Sequence, residues 1–228
     1  MTMHRVLFID HSAALGGAEL YLRDLVQVFP SATTLTFEDG PLQAALYDQG
    51  SRAEILPAAQ SVLDVKKHGS WREMVRAALH LPHVVGRLVK QARHYDVLFA
   101  NSQKALVVAS IAGWIAGRPV VWNLHDILTG DHFSSATRRA AVWCANFLVD
   151  RVIVNSEATR EAFVAAGGER RHTALVYNGI DPAPFDAIST GQREALRSEL
   201  GIGSVPCVGV FSRLAAPPGK DNTSFWRR

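Results

Sequence analysis

The sequence predicts a layered α/β domain with a mainly parallel central sheet. Two observations carry that expectation. Short, continuous apolar runs such as Val6-Leu-Phe-Ile9 suit strands that are covered on both faces. Between such runs lie longer segments whose apolar residues recur at helical spacing, so strand and helix signals alternate along the chain.

Val6 to Ile9 is the first strand candidate. After a loop through Gly16-Gly17, the residues Leu22, Leu25, Val26 and Phe29 mark a helix. Thr33 to Phe37 reads as a second strand, Pro41 to Gln49 as a short helix stopped by Gly50, and Glu54-Ile-Leu56 as a third strand. From Trp71 the positions Met74, Val75, Ala78 and Leu79 line one helical face. Val85, Leu88 and Val89 continue it beyond Pro82, where a kink or break is expected. The opposite face carries Arg72, Arg76, Arg87 and Lys90. It reads either as an interfacial surface for an anionic membrane or as the solvated side of a core-packed helix.

Val97 to Ala100, Pro119 to Trp122 and Arg151 to Val154 are three further strands. An Ala- and Ile-rich helix lies between the first two, too short an apolar run to span a bilayer. A second helix, Ser135 to Leu148, lies between the last two. Glu157 to Ala166 is a helix stopped by Gly167-Gly168, followed by a strand from Ala174 to Tyr177, a helix from Gln192 to Leu200 and a final strand from Val208 to Phe211. The turn-rich stretch Asn178 to Pro184 breaks the alternation and places a hinge between Asn178 and Pro206. The expected organisation is a domain over residues 1–182, a linker and connecting helix over 183–206, and the start of another domain over 207–228.

A chain of 228 residues with 48% hydrophobic and 20% charged residues can bury a sizeable core. The net charge of +3 is modest, and basic aromatic repeats are absent, so nucleic acid is not the expected partner. Cys144 and Cys207 stand far apart among apolar neighbours, which suggests two buried free thiols in a reducing compartment. The apolar run after Arg5 is too short for a signal peptide. No paired cysteine cluster or His-x-x-x-His arrangement suggests a metal, and no Gly-x-Ser-x-Gly elbow suggests a serine hydrolase.

Candidate site residues gather after the predicted strands. In Gly16-Gly17-Ala18-Glu19, backbone amides and the positive end of a helix can meet an anion, and glycine lets a ligand approach closely. The motif is neither a Gly-x-Gly-x-x-Gly fingerprint nor a Walker A loop, and a plain tight turn is the competing reading. His125-Asp126 follows a strand at the edge where open α/β sheets gather their ligand loops. The imidazole there could transfer a proton, hold a hydroxyl or make a structural hydrogen bond. Asn101-Ser102 and Asn155-Ser156 belong to the same edge, with Ser156 also a credible helix cap.

Six segments in order resemble the group 1 family of nucleotide-sugar-dependent glycosyltransferases of GT-B fold, specifically its amino-terminal half. They are Gly16 to Glu19, Asp96 to Ser102, Pro119 to Asp126, Val154 to Arg160, Val176 to Asp181 and Gly209 to Leu214. The resemblance implies a Rossmann-like acceptor-side domain facing a donor-binding domain across a cleft. It implies transfer of a sugar from a nucleotide-diphosphate sugar to an acceptor hydroxyl, with retention of configuration and with no metal or other cofactor. Gly16, Gly17 and Glu19 would approach the donor, and His125 would contact the transferred sugar. Asn101, Asp126, Ser156 and Arg160 would line the cleft, and Arg213 would neutralise the donor diphosphate.

The resemblance also implies a saccharide, polyprenyl-linked or lipid acceptor, and a cytoplasmic protein able to rest on the inner face of a membrane. Two departures stand beside Arg213. Pro218 occupies the place of a family lysine, with Lys220 two residues late, and Asp221 to Arg228 matches nothing in the family. The sequence therefore leads us to expect a chain interrupted at the start of its donor-binding domain and inactive alone. The alternative is a non-catalytic acceptor-binding or regulatory domain completed by a partner chain.

Overall fold

The computed structural model describes residues 4–57, 71–130 and 133–208. Among them, seven strands form one parallel sheet: β1 (Val6–Asp10), β2 (Thr33–Thr36), β3 (Arg52–Ile55), β4 (Val97–Ala100), β5 (Val120–Leu124), β6 (Arg151–Val154) and β7 (Thr173–Leu175). Their order is β3-β2-β1-β4-β5-β6-β7, and every neighbouring pair is parallel. The chain runs outward from β1 to β3, then returns to lay β4 against the other side of β1. Loops leaving the carboxyl ends of β1 and β4 consequently diverge, which opens a crevice between them.

Among the described residues six α-helices accompany this sheet: α1 (Gly17–Val26), α2 (Pro41–Asp48), α3 (Trp71–Ala92), α4 (Gln103–Ala116), α5 (Ser135–Phe147) and α6 (Glu157–Ala165). Residues of β1 alternate between two buried clusters, because successive strand side chains take opposite faces. Val6 and Phe8 pack with Leu22 and Val26 of α1 and Leu42 and Leu46 of α2. Leu7 and Ile9 pack with Leu88 of α3, Leu106 of α4 and Trp122 of β5. Three layers result, as the sequence predicts. Serine hydroxyls start three of these helices: Ser102, Ser134 and Ser156 each accept an amide from the first turn. Gly117 ends α4 at φ +65°, a left-handed position suited to glycine.

The chain divides into two compact units, Met1–Asn178 and Gly179–Arg228. The second contains α7 (Ala183–Asp186) and α8 (Thr190–Glu199), the latter opened by a capping box between Ser189 and Gln192.

Several expectations need correction. Of the kink or break expected at Pro82, the break does not occur: α3 runs through it. A proline inside a helix forfeits a hydrogen bond, and here Val84, Val85, Leu88, Val89 and Ala92 hold the following turns by burial. Arg87 and Lys90 are exposed on the other side of that buried stripe. β5 extends two residues past the apolar run, because buried Asn123 occupies a strand position and finds polar partners there. Cys144 is buried, but Cys207 is exposed, lying in a run of exposed residues rather than in a packed strand. The expected strand Val208 to Phe211 falls almost wholly outside the described residues, as do Arg213 and the segment after it. Among the described residues no helix is long and apolar enough to cross a membrane.

Candidate functional site

The carboxyl ends of β1, β4 and β5 bring a polar cluster together beneath the start of α1. Asp10, the last residue of β1, is fully buried, and Asn101 and Asn123 are 2% exposed. Asn101 is the centre of the cluster. Its Nδ2 donates to Asp10 Oδ2 at 2.6 Å and to the Ala18 carbonyl at 3.2 Å. Its Oδ1 accepts from Asn123 Nδ2 at 3.0 Å and lies 3.1 Å from His125 Nε2. Asn123 Nδ2 also stands 2.7 Å from His125 Nε2. On the other side, His11 Nδ1 is 3.2 Å from Asp10 Oδ1 and 2.8 Å from Ser102 Oγ. Every buried polar side chain of the cluster is thus paired, as burial demands.

His125 is half-buried, and its ring packs edge-on against Tyr21 of α1 at 5.2 Å between centroids. Burial pushes its pKa below the ordinary imidazole value, while the charges of Asp10 and Asp126 push the other way. A neutral ring results, suited to hydrogen bonding with an uncharged hydroxyl. Asp126 is exposed and acts on the ring through its charge.

Gly16 caps α1 with extended backbone and Gly17 opens the helix. Burial raises the pKa of Glu19, whereas hydrogen bonds from its own amide and that of Gly16 lower it. Glu19 folds back over the loop, its Oε2 beside Gly16. A β-carbon at Gly16 would stand 2.6 Å from Glu19 Oε2, whereas one at Gly17 meets no described atom within 4 Å. The approach to Gly17 is open.

Of the sequence candidates, Gly16, Gly17, Glu19, Asn101, His125 and Asp126 share this region. Ser156 and Arg160 stand at the same sheet edge, two strands away from β4, and bond within their own helix. Ser156 Oγ accepts the Thr159 amide at 3.1 Å, and Arg160 Nη1 donates to Glu157 at 2.8 Å. Arg213 lies outside the described residues. Sequence reasoning missed Asp10, His11 and Tyr21, and quoted Asn123 only inside a longer segment. The available signal was an acid and a histidine placed directly after an apolar strand. At the opposite edge lies a shallow groove of about 650 Å³ between Gly113 and Asp150, flanked by Trp114 and Phe147. Among the described residues no group of three or more His, Cys, Asp or Glu could hold a metal ion.

Comparison with known proteins adds independent findings. The model of Glycosyltransferase Family 4 matches residues 15–184. The structure of Anabaena Alr3699/HepE in complex with UDP-glucose is 36% identical, with a TM-score of 0.77 over 93% of this chain and 54% of that one. The same protein in complex with UDP gives 36% identity and a TM-score of 0.74, covering 86% of this chain and 50% of that one. The lipopolysaccharide outer core galactosyltransferase WaaB shares the fold at 16% identity and a TM-score of 0.53, over 78% of this chain and 46% of that one. This chain spans about half the length of these structures. Comparison with curated proteins returned no match.

Proposed function

We propose, from the premise that this chain belongs to Glycosyltransferase Family 4, that it forms the acceptor-side wall of an enzyme transferring a sugar from a UDP-sugar to an acceptor hydroxyl. The observation that carries this reading is the 36% identity, over 93% of the chain, to a protein solved with UDP-glucose. The site geometry supports it. A glycine loop open at Gly17 and a neutral, half-buried histidine lie at the crevice between strand ends, where α/β sheets hold their ligands.

In this reading His125 hydrogen-bonds the transferred sugar, and Gly17 permits close approach of the donor. Ser156 and Arg160 shape the far side of the cleft, and Arg213 meets the diphosphate as negative charge builds on it. We propose retention of configuration by front-face departure and attack, since Asp10, tied to Asn101 and His11, is not poised as the nucleophile of a two-step displacement. A saccharide, polyprenyl-linked or lipid acceptor is proposed, presented at the inner face of a membrane. Transfer needs a second wall that aligns the donor and stabilises its leaving group. We therefore expect the 228-residue chain alone to bind ligands weakly and to turn over little or no sugar.

The test joins the chain to the part of HepE that it leaves uncovered, and assays sugar release and transfer from a panel of nucleotide sugars. Transfer by the chimera, lost in His125→Ala and reduced in Gly17→Ala with folding intact, is the expected result. Robust transfer by residues 1–228 alone would overturn the one-wall reading, and a chimera that binds donor but keeps full activity without His125 would overturn that residue's role.

A further inference from the structure

Asp10 stands between the two histidines of the crevice and serves both. Its Oδ1 faces His11 Nδ1 at 3.2 Å and the Ser12 amide at 3.4 Å. Its Oδ2 takes the Asn101 amide nitrogen at 2.6 Å. An ionised carboxylate can only accept, so each of these neighbours must donate. Nδ1 of His11 also lies 2.8 Å from Ser102 Oγ, a hydroxyl that can give or take; because a lone pair on Nδ1 would face the carboxylate, the proton of neutral His11 sits on Nδ1 and Ser102 Oγ accepts beside Asp10. The carboxylate also fixes the orientation of Asn101, whose Oδ1 is then the acceptor for Asn123.

The polarity passes on from there. Asn123 Nδ2 donates to Asn101 Oδ1 at 3.0 Å, which fixes the Asn123 amide in turn. The same nitrogen lies 2.7 Å from His125 Nε2. An amide nitrogen cannot accept, so Nε2 must present its lone pair and the ring proton must sit on Nδ1. The rival arrangement, with Nε2 donating to Asn101 Oδ1, corresponds to the longer 3.1 Å contact and would set two N–H groups against each other at 2.7 Å.

We infer that Asp10 is a positioning residue that fixes both histidines as Nδ1–H tautomers, directly for His11 and through Asn101 and Asn123 for His125. His11 is left with an acceptor at Nε2 and His125 with a donor at Nδ1. The His11 side chain is 32% exposed, so its free nitrogen is open to a ligand. One acceptor and one donor on the strand ends either side of β4 suit a polyhydroxylated ligand, because every hydroxyl can both give and take a hydrogen bond. That consequence rests on the proposed function; the tautomer assignment does not.

Two-bond 1H–15N spectra of the histidine-labelled 228-residue chain report which ring nitrogen carries the proton. The spectra are recorded at a pH of about 8, above the ordinary imidazole range. His11→Gln and His125→Gln assign the signals. The expected wild-type result is the Nδ1–H pattern at both rings, in contrast to exposed histidines, which favour Nε2–H. Either ring in the Nε2–H form overturns the inference without any variant of Asp10. In Asp10→Asn the amide offers one acceptor where the carboxylate offers two, so at least one ring should shift toward Nε2–H while the backbone spectrum of the sheet persists. A folded Asp10→Asn chain with both rings unchanged overturns the role of Asp10. Nucleotide sugars that move neither ring would count against the proposed function while the Nδ1–H signals still uphold the tautomers.

Discussion

Asn101 should be the most costly single side chain of the crevice to remove. It is 2% exposed and bonded to Asp10, Ala18 and Asn123. Asn101→Ala deletes a bond to a charged group, about 2 kcal/mol, and two neutral bonds, to Asn123 and the Ala18 carbonyl, together about 1 kcal/mol. Asp10 keeps His11 and the Ser12 amide, so the cost should stay near the sum, roughly 3 kcal/mol. For a chain of this size that corresponds to a fall in Tm of about 6–12 °C. Asn101→Asp preserves the shape but sets a second carboxyl against Asp10, and two such groups cannot both ionise cheaply. The folded state of that variant must hold a proton that the unfolded state releases. Its stability should therefore fall as pH rises above about 4, the ordinary carboxyl range. Thermal and urea denaturation followed by circular dichroism across a pH series would measure both effects. Asn101→Ala melting within about 2 °C of wild type, or Asn101→Asp gaining stability with rising pH, would refute the central place given to this residue.

Other perturbations test the fold and the electrostatics separately. Ser156→Ala removes the cap that accepts the Thr159 amide, at about 1 kcal/mol, read as a Tm lower by about 2–4 °C. Gly113→Ala should destabilise although alanine is favoured in helices by about 1 kcal/mol. Its β-carbon would sit 2.3 Å from Val120 Cγ2 and 2.9 Å from the Arg118 carbonyl, and overpacking costs about 1–3 kcal/mol, which denaturation would resolve. Burial holds the pKa of His125 below its ordinary value, so the unfolded chain takes up that proton first on acidification. Stability should decline as pH falls below about 6.5, and His125→Asn should flatten that part of the profile.

The sheet was legible because its signals are local. β4 and β6 occupy the residues that their apolar runs mark, and the alternation of Val6 to Ile9 between two clusters follows from strand geometry. The glycine loop and His125 were legible as positions at the ligand edge of such a sheet. The polar centre was not. Asp10 and Asn101 meet across 91 residues, and nothing near either one in sequence announces the other. Asn123 was hidden for a related reason: a polar residue in a strand reads as its end, until Asn101, just past β4, and His125 make its burial affordable. At Pro82 local backbone chemistry allows a kink or a break, and the burial that keeps α3 continuous comes from tertiary packing.

The claim that the carboxyl edge of β1, β4 and β5 is the face turned toward a sugar nucleotide is tested most directly by titrating UDP-glucose into the 15N-labelled chain and mapping amide shifts. The largest shifts are expected at Gly16 to Glu19, at Ser102 and from Asn123 to Asp126, even where binding is weak. Shifts confined to the opposite groove between Gly113 and Asp150, or none at millimolar ligand, would contradict it.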